Sequence, residues 1–220
     1  MSSQQPAETE PAPGTEPDAR GVLVIACGAL ARELKAVVDA NQLTGLRMQY
    51  LPAGLHNTPK QIPAAVEERL VAAAGRYAEV FVAYGDCGTG GALDTVLERH
   101  GARRLPGSHC YEFFAGAEMF ARLHDAEPGT FYLTDFLVRQ FDRLVWRALG
   151  LDRWPHLRDD YFGNYTRLVY LSQFPTPRLL DDAQRAADRL GLRLEHVPVG
   201  TGTVAPTLVS LGMPAPAVSR

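Results

Sequence analysis

The three cysteines are the residues of this sequence best suited to chemistry. Each follows a short apolar, strand-like run and lies at a glycine-containing turn. Cys27 comes after Val-Leu-Val-Ile-Ala, Cys87 after Val-Phe-Val-Ala-Tyr-Gly-Asp, and Cys110 after Leu-Pro-Gly-Ser-His. The carboxyl ends of parallel strands share one edge of a wound α/β sheet, and ligands bind there. We therefore predict that the three thiolates meet and bind a metal ion or a metal cluster. The alternative is that they are small core residues near the ends of strands.

Two histidines and one glutamate lie at the same kind of position. His56 stands in Leu-His-Asn-Thr-Pro after another strand-like run, while His109 and Glu112 flank Cys110. Imidazole can bind zinc or transfer a proton, and a carboxylate can accept a proton or orient a histidine. We predict catalytic roles for His56, His109 and Glu112. The alternatives are metal ligation or a turn role for the histidines and helix capping for the glutamate, and capping is also the role predicted for Asp86.

Glycine-rich turns beside these positions are predicted to contact the cofactor. Glycine adopts positive φ without strain and lets the backbone approach a bulky group closely. The segment 200–202 follows the last predicted strand, and we expect it at the same sheet edge, where its amides would hold an anionic ligand group. It lacks the lysine of a P-loop and the spacing of a dinucleotide fingerprint. The predicted cofactor-binding residues are Gly28, Gly88, Gly200, Thr201 and Gly202.

Strand-like and helix-like patterns alternate along the chain and predict the elements that position these residues. Repeated strand–turn–helix units imply parallel strands joined by right-handed crossovers. The fold class predicted is α/β, doubly wound, with a mainly parallel sheet and helices on both faces. The predicted strands are 22–26, 47–51, 80–84, 103–105, 130–133, 168–172 and 193–199, and the predicted helices are 30–40, 58–75, 91–100, 111–124, 135–150 and 177–190.

The composition divides the chain into one domain and two flanking segments. Residues 1–20 are rich in proline, glutamate, threonine, serine and glutamine, and after Met1 they contain no large apolar side chain, so a disordered tail is predicted. Residues 21–202 are predicted to form a single α/β domain. Residues 203–220 contain three prolines and are predicted to be an irregular closing segment.

Charge and hydropathy narrow the class of partner. The net charge of −3 gives no reason to expect nucleic acid or a membrane surface as a partner. No apolar run approaches the roughly 20 residues needed to cross a bilayer, and the first residues lack a signal-peptide pattern. We therefore expect a cytoplasmic protein that acts on a small molecule, in a reducing compartment where cysteines stay unpaired or bind metal.

Four of the strings around these residues resemble the DUF1638 family of bacterial and archaeal proteins. They are Ile-Ala-Cys-Gly-Ala-Leu, Leu-His-Asn-Thr-Pro, Tyr-Gly-Asp-Cys-Gly-Thr-Gly-Gly and His-Cys-Tyr-Glu-Phe-Phe-Ala-Gly, and the resemblance extends from about Gly21 to Gly202. The family brings no settled activity. The resemblance implies at most a loose link to corrinoid-dependent methyl transfer, with a corrinoid protein as a partner.

The predicted function is that of a metal-dependent enzyme. Three cysteines from successive strand–helix units are similar, in arrangement only, to the quinolinate synthase type of site, where three thiolates hold a 4Fe–4S cluster and one iron stays open. Such an iron acts as a Lewis acid, which suits lyase-like or desulfurising chemistry on a small molecule. The alternatives are a zinc site of three cysteines, with or without a histidine, for thiol or methyl transfer, and a corrinoid- or metal-binding accessory protein.

Overall fold

The strands of the protein form two parallel sheets rather than one. A computed structural model of the protein describes residues 21–213, so the predicted disordered tail 1–20 and residues 214–220 lie outside the described part. The strands are β1 Val22–Cys27, β2 Leu46–Leu51, β3 Glu79–Ala83, β4 Arg103–Arg104, β5 Thr130–Thr134, β6 Arg167–Ser172 and β7 Arg193–Pro198. The first sheet has the order β2-β1-β3-β4 and the second β5-β6-β7. Every pairing is parallel, which confirms the α/β class.

Helices join the strands in nearly the predicted places. They are α1 Ala31–Ala40, α2 Ile62–Ala73, α3 Ala92–His100, α4 Cys110–Ala115, α5 Ala117–Ala126, α6 Asp135–Arg139, α7 Leu157–Phe162, α8 Pro177–Leu190 and α9 Val204–Gly212. Short 3-10 turns occupy Gly28–Leu30, Ala53–Asn57 and Pro59–Gln61, and a π-helical segment occupies Asp142–Trp146. Among the described residues, none of these helices combines the length and apolar character needed to span a membrane.

Three helical segments differ from the sequence prediction. The predicted helix 111–124 is split into α4 and α5 at Gly116, whose φ of 77° lies outside the helical region. The predicted helix 135–150 becomes the short α6 followed by the π-helical segment. The segment predicted to be irregular from residue 203 contains α9, because Val204 and Leu208 bury one apolar face against the first sheet.

Strand β1 lies at the centre of the first sheet. Helices cover both faces of this sheet because β1 presents apolar side chains to each of them. Residues 23–26 are fully buried. Successive side chains of a strand point to opposite faces, so Val24 and Ala26 pack with α1 and α9, while Leu23 and Ile25 pack with α2 and α3. A strand covered on both sides reads as a continuous apolar run, as parallel strands usually do.

Helix α4 lies between the two sheets, and its contacts with both of them fix the position of its first turn. Phe113 and Phe114 pack into the core of the first sheet. Tyr111 packs against the second sheet, beside Tyr132 and Val169. Because both sheets hold the helix, its first residue, Cys110, has a defined position next to the carboxyl ends of β1 and β3.

A buried carboxylate lies where helix α1, which covers the first sheet, approaches helix α6, which follows β5 of the second sheet. Glu33 of α1 is 1% exposed, and neither of its side-chain oxygens has a hydrogen-bond partner among the described residues. Burial raises the pKa of Glu33, the nearby Asp135 raises it further, and Arg139 opposes the shift. Asp135 itself is fully buried but well paired, since it accepts hydrogen bonds from Tyr170 Oη at 2.7 Å and from the Gln173 amide at 3.0 Å.

The substitution Glu33→Gln is expected to stabilise the protein in a pH-dependent way. Because the pKa of Glu33 is higher in the folded than in the unfolded state, ionisation costs stability as the pH rises above the ordinary value of 4.5. Removing the charge should therefore raise the free energy of unfolding by about 1 kcal/mol at pH 8 and by much less at pH 4.5. Urea unfolding at both pH values measures this, with the exposed Glu68→Gln as the matched control. An equal change at both pH values would contradict the assignment.

Candidate functional site

All three cysteines and both predicted catalytic histidines line one cavity at the carboxyl edge of the first sheet. Its volume is about 310 Å³. The end of β1 and the turn after β3 supply two of the cysteines, the first turn of α4 supplies the third, and the 3-10 turn after β2 supplies one histidine. The residues lining the cavity are Cys27, Ala29, Leu30, His56, Pro59, Ile62, Ala83, Tyr84, Cys87, Gly88, His109, Cys110, Tyr111 and Phe113.

Cys27 ends β1 and caps the 3-10 turn that follows. Its Sγ accepts a hydrogen bond from the Ala29 amide at 3.4 Å. The adjacent Gly28 does not line the cavity. A Cβ there would lie 2.8 Å from the Leu51 carbonyl oxygen, so glycine is required for close approach to the end of β2. The cofactor contact predicted for Gly28 is thus replaced by a backbone packing role.

Cys87 lies on the turn after β3, which is bonded to the turn before α4. The amide of Cys87 donates to the Ser108 carbonyl at 2.8 Å, and the amide of Asp86 donates to the Gly107 carbonyl at 3.1 Å. Cys87 has a φ of 50°, an uncommon conformation for a residue with a side chain. Gly88 follows with a φ of 82° and also lines the cavity. Such local strain is typical of functional sites.

The two histidines form the rim of the cavity. His56 lies in the 3-10 turn Ala53–Asn57, and His109 is the N-cap residue of α4. Both residues have exposed faces. Partial burial of the ring, and then the neighbouring His109, lowers the pKa of His56. His56 is therefore neutral near pH 7, and its unprotonated nitrogen can accept a proton or bind a metal.

The cavity keeps the thiols protonated. Burial raises the pKa of Cys27, raises that of Cys87 to about 11, and raises that of Cys110 well above its ordinary value. The other thiols reinforce the shift at Cys87 and Cys110. No lysine or arginine lines the cavity within the described part of the chain. Reactive cysteines occupy electropositive surroundings, so this arrangement does not favour a thiolate nucleophile, whereas a bound metal cation would deprotonate the thiols outright.

Tyr84 is a cavity residue that the sequence analysis missed. It lies directly after β3, is 2% exposed, and has a hydroxyl group with no hydrogen-bond partner among the described residues. Burial, followed by the thiols of Cys27 and Cys87, raises the pKa of Tyr84 far above its ordinary value. The hydroxyl thus stays protonated beside these two sulfurs. Three thiols and two imidazoles are donors that soft and borderline metals prefer, so the residues present fit a thiolate-bound metal group.

Glu112 does not line the cavity, and its predicted catalytic role stays a prediction. Its carboxylate accepts a hydrogen bond from the Ser108 amide at 3.0 Å. It also closes over Gly107, where an added Cβ would lie 2.5 Å from Glu112 Oε2. Glu112 comes three residues after the N-cap residue His109, the position from which a carboxylate caps the turn that precedes a helix. Its role is therefore to hold the turn 107–108.

The segment 200–202 lies against the far end of α4 and not at the cavity. The Thr203 amide donates to the Phe113 carbonyl oxygen at 2.7 Å, and Gly202 lies so close to the same oxygen that an added Cβ would clash with it. The structure thus places Gly200, Thr201 and Gly202 away from the cavity, and their predicted contact with the cofactor stays a prediction. Its basis was a single shared sheet edge, but β7 belongs to the second sheet.

The N-cap residue of α3 is Gly91, so Asp86 caps the turn before the helix and not the helix itself. Its carboxylate accepts hydrogen bonds from the Thr89 hydroxyl at 2.7 Å, the Gly91 amide at 2.8 Å and the Gly90 amide at 3.1 Å. These bonds, the one from Gly91 most of all, lower the pKa of Asp86 to about 2. The carboxylate is therefore fully engaged in closing the glycine-rich turn before α3.

The cavity side chains do not form a preassembled site for one ion. Within residues 21–213, no three side chains of histidine, cysteine, aspartate or glutamate are arranged so that they could hold a single metal ion. The three thiols line the same cavity without forming such a group. A ligand group that bonds each sulfur through a different atom would suit this arrangement better than one ion.

The thiols of the metal-free protein are expected to alkylate slowly. A pKa of about 11 at Cys87 instead of 9.0 leaves roughly a hundredfold less thiolate near pH 7. Since a more basic thiolate is also more nucleophilic, we expect the iodoacetamide rate at Cys87 to fall by about tenfold or more relative to the same protein in urea. Peptide mass spectrometry between pH 7 and 11 measures this rate. Equal rates in folded and unfolded protein at pH 7 would contradict the burial described.

Comparison with known proteins identifies the family of this chain. A family model described as protein of unknown function (DUF1638) matches residues 50–208, well over half of the 220 residues. His56, Tyr84, Cys87, His109 and Cys110 lie within the matched range, whereas Cys27 precedes it. No curated protein and no solved structure gives a significant match. The chain belongs to the DUF1638 family.

Proposed function

We propose that this protein is a metal-dependent enzyme in which Cys27, Cys87 and Cys110 bind a 4Fe–4S cluster that has one iron without a protein thiolate. The observation that supports this most is that three thiols from three separate turns line one cavity whose described walls carry no cationic side chain. Thiolates formed there would find no cation among the described lining residues, so a positively charged group that enters the cavity would have to offset them.

Two features favour a cluster over the other uses of three cysteines. The raised pKa values at Cys27, Cys87 and Cys110 argue against a thiolate nucleophile. The absence of a three-residue arrangement for one ion, among the described residues, argues against a preformed zinc site. In a cluster each thiolate bonds a different iron, so the sulfurs can stay apart while lining one cavity.

The remaining cavity residues supply proton transfer and water exclusion. His56 and His109 stand at the rim, and the lowered pKa of His56 leaves it able to accept a proton near pH 7. Ile62 and Phe113 give the cavity an apolar wall that excludes water. Gly88 permits close approach of the backbone to the bound group.

When bound, the cluster would supply a Lewis-acidic iron for lyase-like or desulfurising chemistry on a small molecule. A set of three cysteines rather than four leaves a position for a substrate atom, which suits this chemistry better than electron transfer. The thiols must stay reduced for metal binding, as they do in the cytoplasm. Zinc for thiol or methyl transfer and a corrinoid are the competing cofactors.

Anaerobic purification followed by iron, sulfide, zinc and cobalt analysis tests the cofactor. We expect brown protein with broad visible absorbance and iron and acid-labile sulfide in equal amounts. Colourless protein that contains stoichiometric zinc would replace the cluster with the zinc site, and red protein that contains cobalt would replace it with a corrinoid. Protein without any of these after anaerobic reconstitution would contradict the proposal.

Single replacement of any of the three cysteines by serine is expected to remove most of the bound iron, because an incomplete thiolate set holds a cluster poorly. Cys27→Ser, Cys87→Ser and Cys110→Ser are compared with His100→Gln and His124→Gln. Both control histidines lie at helix ends outside the cavity. Iron content per folded protein, with folding checked by circular dichroism, gives the result. Equal iron loss from a control and a cysteine variant would show unfolding and not ligation.

A further inference from the structure

The cavity surrounds its ligand with uncharged side chains only. Within the described part of the chain, its lining contains no lysine, arginine, aspartate or glutamate. Lys60, on the turn Pro59–Gln61, is exposed and does not line the cavity. The other charged residues on or beside the turns that build it are Asp86, Arg104 and Glu112. A substrate carboxylate or phosphate is normally met by a cation or by free backbone amides, so the partners of these three residues decide whether one of them can pair with a ligand.

Each of these charged groups is already engaged within the scaffold. Arg104 Nε and Nη2 pair with both carboxylate oxygens of Asp94, at 2.6 and 2.9 Å. Its Nη1 donates to the carbonyls of Leu105 at 2.8 Å and Gly107 at 3.2 Å. Glu112 is held by the Ser108 amide at 3.0 Å. None of them is free to pair with a ligand in the cavity.

The glycine-rich turn beside Cys87 also has no capacity left for an anion. Successive amides in such a turn form a concave group of donors that commonly binds phosphate or carboxylate. Here the amides of Gly90 and Gly91 already donate to the carboxylate of Asp86. The protein thus fills its own anion-binding turn, and an external anion would have to displace a carboxylate that these amides and the Thr89 hydroxyl hold.

One polar side chain of the cavity, that of Tyr84, lacks a full hydrogen bond within the described part of the chain. Tyr84 is 2% exposed, lines the cavity, and has a hydroxyl whose polar contact there is the Cys27 thiol, outside the geometry of a full hydrogen bond. A buried unpaired donor is costly to stability and is rarely retained without a reason. A ligand atom that accepts a hydrogen bond would satisfy it.

We propose that the cavity binds a small, uncharged, largely apolar molecule that carries a hydrogen-bond acceptor, and that Tyr84 donates the hydrogen bond that orients it. A cavity of about 310 Å³ is at the small end of the usual range for ligand sites. The proposal rests on the proposed function in placing this molecule against the three thiols. The charge argument depends on the protein walls, and it holds with a group bound to the cysteines when the three thiolates offset the charge of that group.

The test compares amides with the carboxylates of the same shape. The probes are acetamide and acetate, isobutyramide and isobutyrate, and benzamide and benzoate, titrated at pH 7.5 into anaerobically purified protein and followed by ligand-observed saturation-transfer NMR. We expect the amide to bind about tenfold or more tightly than its carboxylate in each pair that binds. Tyr84→Phe should weaken amide binding about fivefold, the effect of one lost hydrogen bond.

Tyr161→Phe is the matched control, because Tyr161 is 47% exposed and lies on α7, outside the cavity. It should leave amide binding unchanged. Tyr84→Phe should also raise the urea midpoint of the unliganded protein, since it removes an unpaired buried hydroxyl, whereas a tyrosine with a purely structural role would lower it. A variant that is more stable and binds worse shows that the hydroxyl serves the ligand.

The outcomes separate this proposal from the cluster. Tighter binding of any carboxylate than of its amide, failure of every amide to bind, or unchanged amide binding in Tyr84→Phe would overturn the neutral ligand. Metal analysis of the same preparation is read independently. Metal-free protein with the expected preference would overturn the cluster and keep the neutral ligand. Brown protein with the opposite preference would do the reverse.

Discussion

The cavity depends on the joining of two turns beyond the end of a very short strand. β4 contributes only Arg103–Arg104 to the sheet. Pairing continues through Leu105, whose amide donates to the Val82 carbonyl at 3.1 Å, and then through the two bonds from Asp86 and Cys87 to the turn 107–108. Gly85 makes this possible, because a Cβ there would lie 3.0 Å from the Gly107 carbonyl oxygen. This contact fixes the turn of Cys87 against the turn before Cys110, and the packing of α4 between the sheets fixes Cys110 independently.

The positions of the cysteines could be predicted from the sequence because the relevant pattern is local. A buried apolar run followed by glycine marks the carboxyl end of a parallel strand, and such ends meet at one edge. The pattern does not say which strands pair. The division into two sheets therefore could not be predicted, and it is this division that places segment 200–202 away from the cavity. Glu112 shows a related limit, because the same carboxylate next to a cysteine suits catalysis or capping, and only its contact with the Ser108 amide decides.

Tyr84 could not be recognised from sequence for a different reason. In the alternation of β3 it shares a face with Val82 and reads as an ordinary core aromatic. What sets it apart is the lack of a hydrogen-bond partner among the described residues, which depends on every residue packed around it. Glu33 is comparable, since a charged side chain predicts an exposed position while the folded chain leaves it 1% exposed. Unpaired buried groups are thus properties of the packed chain, and sequence patterns do not reveal them.

Several features that lower the stability of the folded chain lie at one edge of the first sheet. There the chain holds Cys87 at positive φ, leaves the Tyr84 hydroxyl unpaired within the described residues, and buries three thiols whose ionisation is disfavoured. A bound metal group would offset the last of these costs. A metal group would take the place of the thiol protons, and the thiolates would in turn largely neutralise its positive charge. The charges of cofactor and cysteines then cancel within the site, and the protein needs no cation in the walls. A site that is balanced in this way has little charge left to attract an anion, so the absence of lysine and arginine from the described lining, which supports the cofactor, also favours an uncharged ligand.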